Sequence, residues 1–258
     1  MSQLRRLVFW FYALLIYGFL FLPMVVIALF AFGRGDNPTR WPPDLLSLQW
    51  FEAILRDEAM LKALRNSFIV GLVAVSIAAL LGTAAAFAIH RYRFRGSAIF
   101  YGLTMLPAFV PGLVLGIALL IFFSSLDVEL SMLTVIIAHV TFLTPVILSA
   151  VLSRLERLSP SYEQASRDLG ANAWQTFGLV TLPNLRTTLI GALLFAFTLS
   201  FDNIVLTFFV TSFEKTLPLE FWGRLRFGLT PVTNALATIM VVFSIVLILA
   251  ANRFMNAE

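Results

Sequence analysis

The chain has no cysteine, which excludes disulfides, thiolate nucleophiles and Cys-built metal sites. Charge is scarce as well: Asp, Glu, Lys and Arg make up only 12% of the 258 residues, against about 25% in a soluble domain. So few charges cannot cover a globule with polar surface. Histidine occurs twice, at His90 and His139, too far apart in sequence to suggest zinc; no metal and no cofactor is expected. There is no GxxxxGK[ST] phosphate loop, no plausible catalytic triad and no carboxylate pair inside an apolar run. No enzyme site emerges. Internal repeats, low-complexity tracts and a soluble second domain are also absent.

Apolar residues fill the gap, at 60% of the chain with 26 Phe and a mean hydropathy of +0.91. A membrane span needs about 20 mostly apolar residues, and six stretches qualify: Leu7–Phe32, Ser67–Ile89, Ala98–Ser125, Ser131–Ser153, Leu185–Thr211 and Val232–Ala251. Lipid cannot satisfy backbone amides, so each is predicted to be a helix. The expected fold is an all-α membrane protein with six transmembrane helices in a single domain, residues 1–258. Arg5 and Arg6 precede the first stretch as they would a secretory signal. Its apolar run is longer than the roughly 7–15 residues of a signal core, and no small-x-small site precedes Gly33. It reads as an uncleaved first span.

The pI of about 9.8 does not point to nucleic acid, because the basic residues form no stripe. They read as orientation signals. The connector His90–Gly96 carries Arg91, Arg93 and Arg95, whereas Leu126–Leu130 carries Asp127 and Glu129 and no base. The positive-inside rule places the first in the cytoplasm and the second outside. Both termini of this multi-pass protein then fall inside. Gly33–Arg65 becomes external, with Trp41, Trp50 and Phe51 suited to a helix lying at the interface.

Two connectors exceed a turn, Arg154–Asn184 on the cytoplasmic side and Ser212–Pro231 outside, and long loops in compact folds are usually functional. In the first, Ser159 is a natural N-cap with Pro160 at the first helical position. Tyr162, Ala165, Ser166 and Leu169 share one face, and Gly170 stops the helix in a left-handed conformation. Asn172 caps a second helix carrying Trp174, Phe177 and Val180, which Leu182–Pro183 ends. Ala165, Gly170 and Ala171 are small enough for another protein to approach the bend. The blander alternative is an ordinary surface hairpin.

These residues resemble the EAA loop of binding-protein-dependent ABC importer permeases, whose pattern is Glu-Ala-Ala, three residues, Gly, nine residues, then Ile-x-Leu-Pro. Glu163, Gln164 and Ala165 are followed by Gly170, then by Val180, Leu182 and Pro183 at matching offsets; Gln164 and Val180 are mild departures. The likeness runs along nearly the whole chain and is nearest to the second permease of spermidine/putrescine importers, through Arg91–Gly96, Asp168–Ala171, Phe197–Ser200, Phe209–Thr211 and Asn234–Thr238. It implies a type I ABC importer permease. Glu163, Ala165, Gly170, Ala171, Leu182 and Pro183 would then couple to an ATPase. The implied partners are a homologous second permease, two ATP-binding subunits, a periplasmic solute-binding protein and membrane lipid.

Asp202 is the only acid within a predicted span, and an intramembrane carboxylate is costly enough to be a functional candidate by default. With Asn203 it would contact a cationic solute; the other reading is a structural interhelical hydrogen bond. The polyamine permeases carry an acid after the third-span proline and another after the position of Asp202. Here those positions are Gly112 and Asn203, which implies a weaker preference for long polyamines. A polyamine is the first solute choice, another small amino-containing solute the second and ferric iron a distant third. Trp222, in the external loop, is a further candidate because aromatic faces hold ammonium groups. Pro107, Pro111 and Pro145 mark breaks or kinks, and His139 reads as a satisfied interhelical residue. A membrane-embedded enzyme or assembly factor would leave the spacing of Glu163 and Gly170 unexplained.

Overall fold

A computed structural model describes residues 3–34, 46–92 and 94–255. Trp41 and Arg93 lie outside the described residues. Among the described residues the regular elements are all helices, joined by turns and short extended stretches, with one isolated bridge between Gly33 and Leu46. Five helices are long and apolar enough to cross a membrane: Arg5–Ala31, Glu58–Tyr92, Met132–Arg157, Ala173–Phe201 and Pro231–Arg253. The sixth expected span is a bent pair, α4 (Ser97–Phe109) and α5 (Gly112–Ser125), meeting at 108°. The cause is Pro111: its ring drives the preceding residue out of the helical region, and Val110 is extended at φ −82°, ψ 129°. Pro107 and Pro145 stay inside their helices.

The chain divides into two compact units, Met1–Lys62 with Phe221–Phe243, and Ala63–Glu220 with Ser244–Glu258. In the first, α1 (Gln3–Ala31) keeps most of its apolar surface exposed, as a lipid-facing helix does. At its end Trp50 Nε1 donates to Gly33 O (2.8 Å), and Phe32 and Phe51 pack with ring centroids 5.0 Å apart. These contacts fasten α2 (Gln49–Arg56). The next helix, α3 (Glu58–Phe87), starts nine residues before the expected span at Ser67. Asp57 explains the early start, because its Oδ1 accepts the Met60 N–H (3.0 Å) and caps the helix. Arg224 grips the same carboxylate with both terminal nitrogens, at 2.6 and 3.1 Å. This charged fork holds the Asp57 carboxyl below the ordinary carboxylate range.

In the second unit α6 (Met132–Arg157) is the central post. It packs on α4, α9 (Leu182–Phe201) and α10 (Val205–Val210), while α5 packs on α10. Val70, Phe123, Val135, Ala138 and Val210 form one buried cluster among these helices. Backbones approach closely at Gly82, where an added Cβ would sit 2.9 Å from the Thr144 carbonyl oxygen and 3.0 Å from the Leu148 nitrogen. Such small-residue contacts replace the hydrophobic effect as the glue between helices in lipid. The last helix is α12 (Pro231–Met255), and α11 (Leu217–Leu225) precedes it.

Candidate functional site: a surface hairpin and a broken span

The 154–184 segment folds as a hairpin of short helices. In α7 (Ser161–Asp168) the helix begins one residue later than expected, with Pro160 at the cap position. Gly170 ends the turn at φ +84°, and the Ala171 N–H reaches back to Ser166 O at 3.1 Å, the six-to-one bond of a Schellman turn. Asn172 caps α8 (Ala173–Thr176) reciprocally with Gln175, both bonds at 2.9 Å. Pro183 does not end this helix. Phe177–Thr181 forms a π turn, the Leu182 N–H bonds to Phe177 O, and the chain runs on into α9 with Pro183 in its first turn. A first-turn position leaves the missing proline N–H without consequence, so the helix passes through.

The hairpin's inner and outer sides differ in chemistry. On the inner side Glu163 Oε2 accepts from Arg91 Nη2 at 2.9 Å, and Oε1 accepts from Thr181 Oγ1 at 2.9 Å. Arg167 Nη2 stands 3.8 Å from Oε2. Ser166 Oγ and Thr176 Oγ1 meet at 3.1 Å, and Phe87 packs edge-on to Phe177. On the outer side Leu169 is 89% exposed and Trp174 84%. Ala165, Gly170, Leu182 and Pro183 are exposed as well, and Ala171 is half-buried. Leu169 and Trp174 thus leave a bare apolar face on this side of the hairpin.

The second feature is a break at residues 202–204, where one helix was expected over Leu185–Thr211. Asp202 caps α9 at φ −87°, ψ 0°, and Asn203 Oδ1 accepts the Leu206 N–H (3.0 Å) to start α10. The Asp202–Asn203 pair is therefore a stop signal followed by a start signal, which periodicity alone does not register. His139 bridges the break by bonding a side-chain hydroxyl on either side of it. Its Nδ1 lies 2.7 Å from Ser200 Oγ on α9, and its Nε2 lies 3.1 Å from Thr207 Oγ1 on α10. The Thr207 hydroxyl proton is committed to Asn203 O (3.1 Å). Nε2 is then the donor to Thr207, and the imidazole of His139 spans the two ends of the break.

Asp202 itself faces away from this strut and is exposed. Its two oxygens share one donor, Ser244 Oγ, at 3.2 and 3.0 Å. Among the described residues no Arg or Lys forms an ion pair with it. A Cβ added at Gly112 would lie 4.0 Å from Val205 Cγ1. The two positions where an acid was noted as missing therefore adjoin the break. Asn203, however, spends its carbonyl on helix capping. Trp222, on α11 in the other unit, is half-exposed with the Arg226 guanidinium 5.9 Å from its ring centroid. It already carries a cation from its own chain.

Arg91, Thr181, Ser200, Thr207 and Ser244 complete these two clusters, and sequence reasoning had not given them site roles. Each left a faint trace: Arg91 lies in a basic connector, and Ser244 is a lone hydroxyl in Val241–Ala250.

Apolar helices long enough to cross a membrane, one of them broken at an exposed carboxylate, define a multi-span membrane protein. Residues 78–257 match the family described as binding-protein-dependent transport system inner membrane component, and the chain belongs to that family. It is 36% identical over 241 residues to the putrescine transport system permease protein PotI of Escherichia coli (strain K12), covering 90% of this chain and 85% of that one. To the spermidine/putrescine transport system permease protein PotC of the same strain it is 30% identical over 239 residues, covering 92% and 89%. Among solved structures it resembles a bacterial ABC transporter involved in the import of the acidic polysaccharide alginate (TM-score 0.70, 17% identity, 100% and 98% coverage). The inward-facing MetNI methionine ABC transporter follows at TM-score 0.61, 16% identity and 82% and 99% coverage. At these identities the structures speak for the fold alone. That fold is the ABC importer permease fold, and the chain is a permease subunit of an ATP-driven importer.

Proposed function

We propose that this chain carries a small cationic amine, a short diamine of the putrescine class before longer polyamines, from a periplasmic binding protein to the cytoplasm. The observation that carries the reading is Asp202: a carboxylate at the break in a membrane helix, exposed, with one shared hydroxyl donor and, among the described residues, no paired cation. A charge held there attracts an ammonium more strongly than it would in water, where a pair at 4 Å gains only about 1 kcal/mol. One acid rather than three suits a short amine. The 36% identity to a protein named for putrescine transport points the same way. Another small amino-containing solute, such as a monoamine acid, is the second reading, favoured by the single carboxylate.

The chain works as one permease domain beside a homologous second permease, with two ATPase subunits seated on the hairpin and hydrolysis confined to them. The termini, the hairpin and the Arg91 connector face the cytoplasm. Uptake of putrescine, a monoamine acid and an uncharged solute into proteoliposomes tests the solute. Asp202→Asn should lower putrescine uptake by about tenfold or more, with the complex still assembled; equal uptake by wild type and variant would remove Asp202 from the path. Because the chain has no native cysteine, labelling of Leu169→Cys tests the orientation. Labelling from outside by an impermeant reagent would reverse it.

A further inference from the structure

Two long helices reach the hairpin, and each does so through a π turn. Ala88–Tyr92 closes α3, and Phe177–Thr181 opens α9. A π turn holds one residue more than an α turn and is concentrated at functional positions. Arg91 and Thr181 belong to these two turns, and their partner is the same carboxylate. Glu163 takes Arg91 on one oxygen and Thr181 on the other, both at 2.9 Å. The Arg91 and Glu163 side chains are only 25% and 30% exposed, so the ion pair is shielded from bulk solvent. A cavity of about 220 Å³ is walled by Glu163, Arg91, Thr181 and Phe87, leaving the cluster room to shift.

We propose that Arg91 and Thr181 are positioning residues for energy coupling: through the two oxygens of Glu163 they make one rigid node, so that a push on the hairpin moves α3 and α9 together. This rests on the reading of the hairpin as the ATPase seat. The hairpin is continuous with α9 by covalent chain, so α9 follows it without help. The polypeptide supplies no such link to α3, since the segments 92–160 intervene. The Arg91–Glu163 pair is the direct bond that joins α7 to the α3 turn. Charge-assisted bonds of this geometry are the strong ones, and a partly shielded pair keeps more of its attraction than a surface pair. Thr181 fixes the second oxygen, which keeps the carboxylate plane turned toward Arg91.

The experiment uses the complete importer, reconstituted with a second permease, the ATPase and a periplasmic binding protein. It reads putrescine uptake per ATP hydrolysed and the amount of ATPase subunit that co-purifies. Arg91→Gln should lower uptake per ATP by about tenfold, the scale of one charged hydrogen bond, while the ATPase subunit stays bound. Arg91→Lys should recover most of the loss. Arg91→Gln combined with Glu163→Gln should be no worse than Glu163→Gln alone, since both break one interaction. Thr181→Val should give a smaller loss of the same kind. Wild-type uptake per ATP in Arg91→Gln would overturn the node. So would loss of the ATPase subunit from Arg91→Gln and Arg91→Lys alike, which would mean that Arg91 only maintains the hairpin's shape. Leu169→Asp in the same complex probes the underlying reading separately. It should release the ATPase subunit; retention would overturn the seat, and with it the proposal, whatever Arg91 does.

Discussion

Glu163, on the short polar helix α7, and Asp202, at the end of the apolar helix α9, are both carboxylates, yet their surroundings are opposite. Glu163 accepts from Arg91 and Thr181 and has Arg167 nearby, so its charge is answered within the chain. Asp202 shares one hydroxyl between its two oxygens. A carboxylate that its own protein satisfies fixes structure; one left open awaits a partner from elsewhere. The same contrast holds for the neighbours. Asn203 and His139 are fully engaged in mending the break, whereas the outer face of the hairpin, at Leu169 and Trp174, is bare. Groups answered within the chain and groups left exposed are thus separated residue by residue.

The largest expected effect comes from removing the strut. His139→Leu leaves the Ser200 hydroxyl without its imidazole partner in a buried site and removes a side chain that bonds to both α9 and α10. A loss of about 2–3 kcal/mol in stability is expected, read as a lower unfolding temperature of the detergent-purified protein. His139→Gln, which keeps a donor and an acceptor, should recover part of it. A stable His139→Leu with normal uptake would show that the break holds itself.

Next is Gly170→Val. The open space around Gly170 means that crowding has no part in the cost; the left-handed backbone at φ +84° does, at about 1–2 kcal/mol. ATPase subunit retention should fall while membrane insertion stays normal. Gly170→Asn, which tolerates that conformation, should be milder. Equal loss in the two would move the cause from backbone to surface.

A smaller effect concerns the Asp57–Arg224 fork in the other unit. The folded carboxyl lies below its ordinary value because Arg224 and the Met60 N–H bond the charged form. Its stabilisation is therefore fully present above the unfolded value, near pH 4, and is lost as pH falls through the folded one. Thermal unfolding followed from pH 6 to pH 3 should show a steeper decline in wild type than in Asp57→Asn. Parallel curves would mean that the fork adds nothing.

The smallest change expected is Ser244→Ala. Among the described residues one shared hydroxyl donates to the Asp202 carboxylate, so its removal should alter putrescine uptake by no more than about threefold, within the modest net value of a single hydrogen bond. A loss as large as that of Asp202→Asn would place Asp202 on the structural side of the comparison, next to Glu163.

Much of this was legible in the chain. Hydropathy located every long apolar helix, Gly170 took its left-handed conformation and Asn172 capped the helix that follows it. The spacing from Glu163 to Pro183 led to the family to which the chain belongs. Boundaries were less legible. Pro183 was read as a stop, because proline interrupts helices, but a π turn shifted it into the first turn of the next helix. The fifth span was read as continuous, because its residues are apolar enough on either side of Asp202 to conceal the break.

By itself the sequence determined the solvent, the helices, the hairpin and the positions of the unusual polar residues. Those depend on local composition, cap residues and backbone preference, which act within a turn or two of the chain. Only the tertiary structure decided what each polar residue does. Arg91 reaches Glu163 across 72 positions, His139 reaches Ser200 across 61, and Ser244 reaches Asp202 across 42. A buried or half-buried charge takes its role from the donors that packing brings within about 3 Å, and no periodicity along the chain encodes which donors those will be.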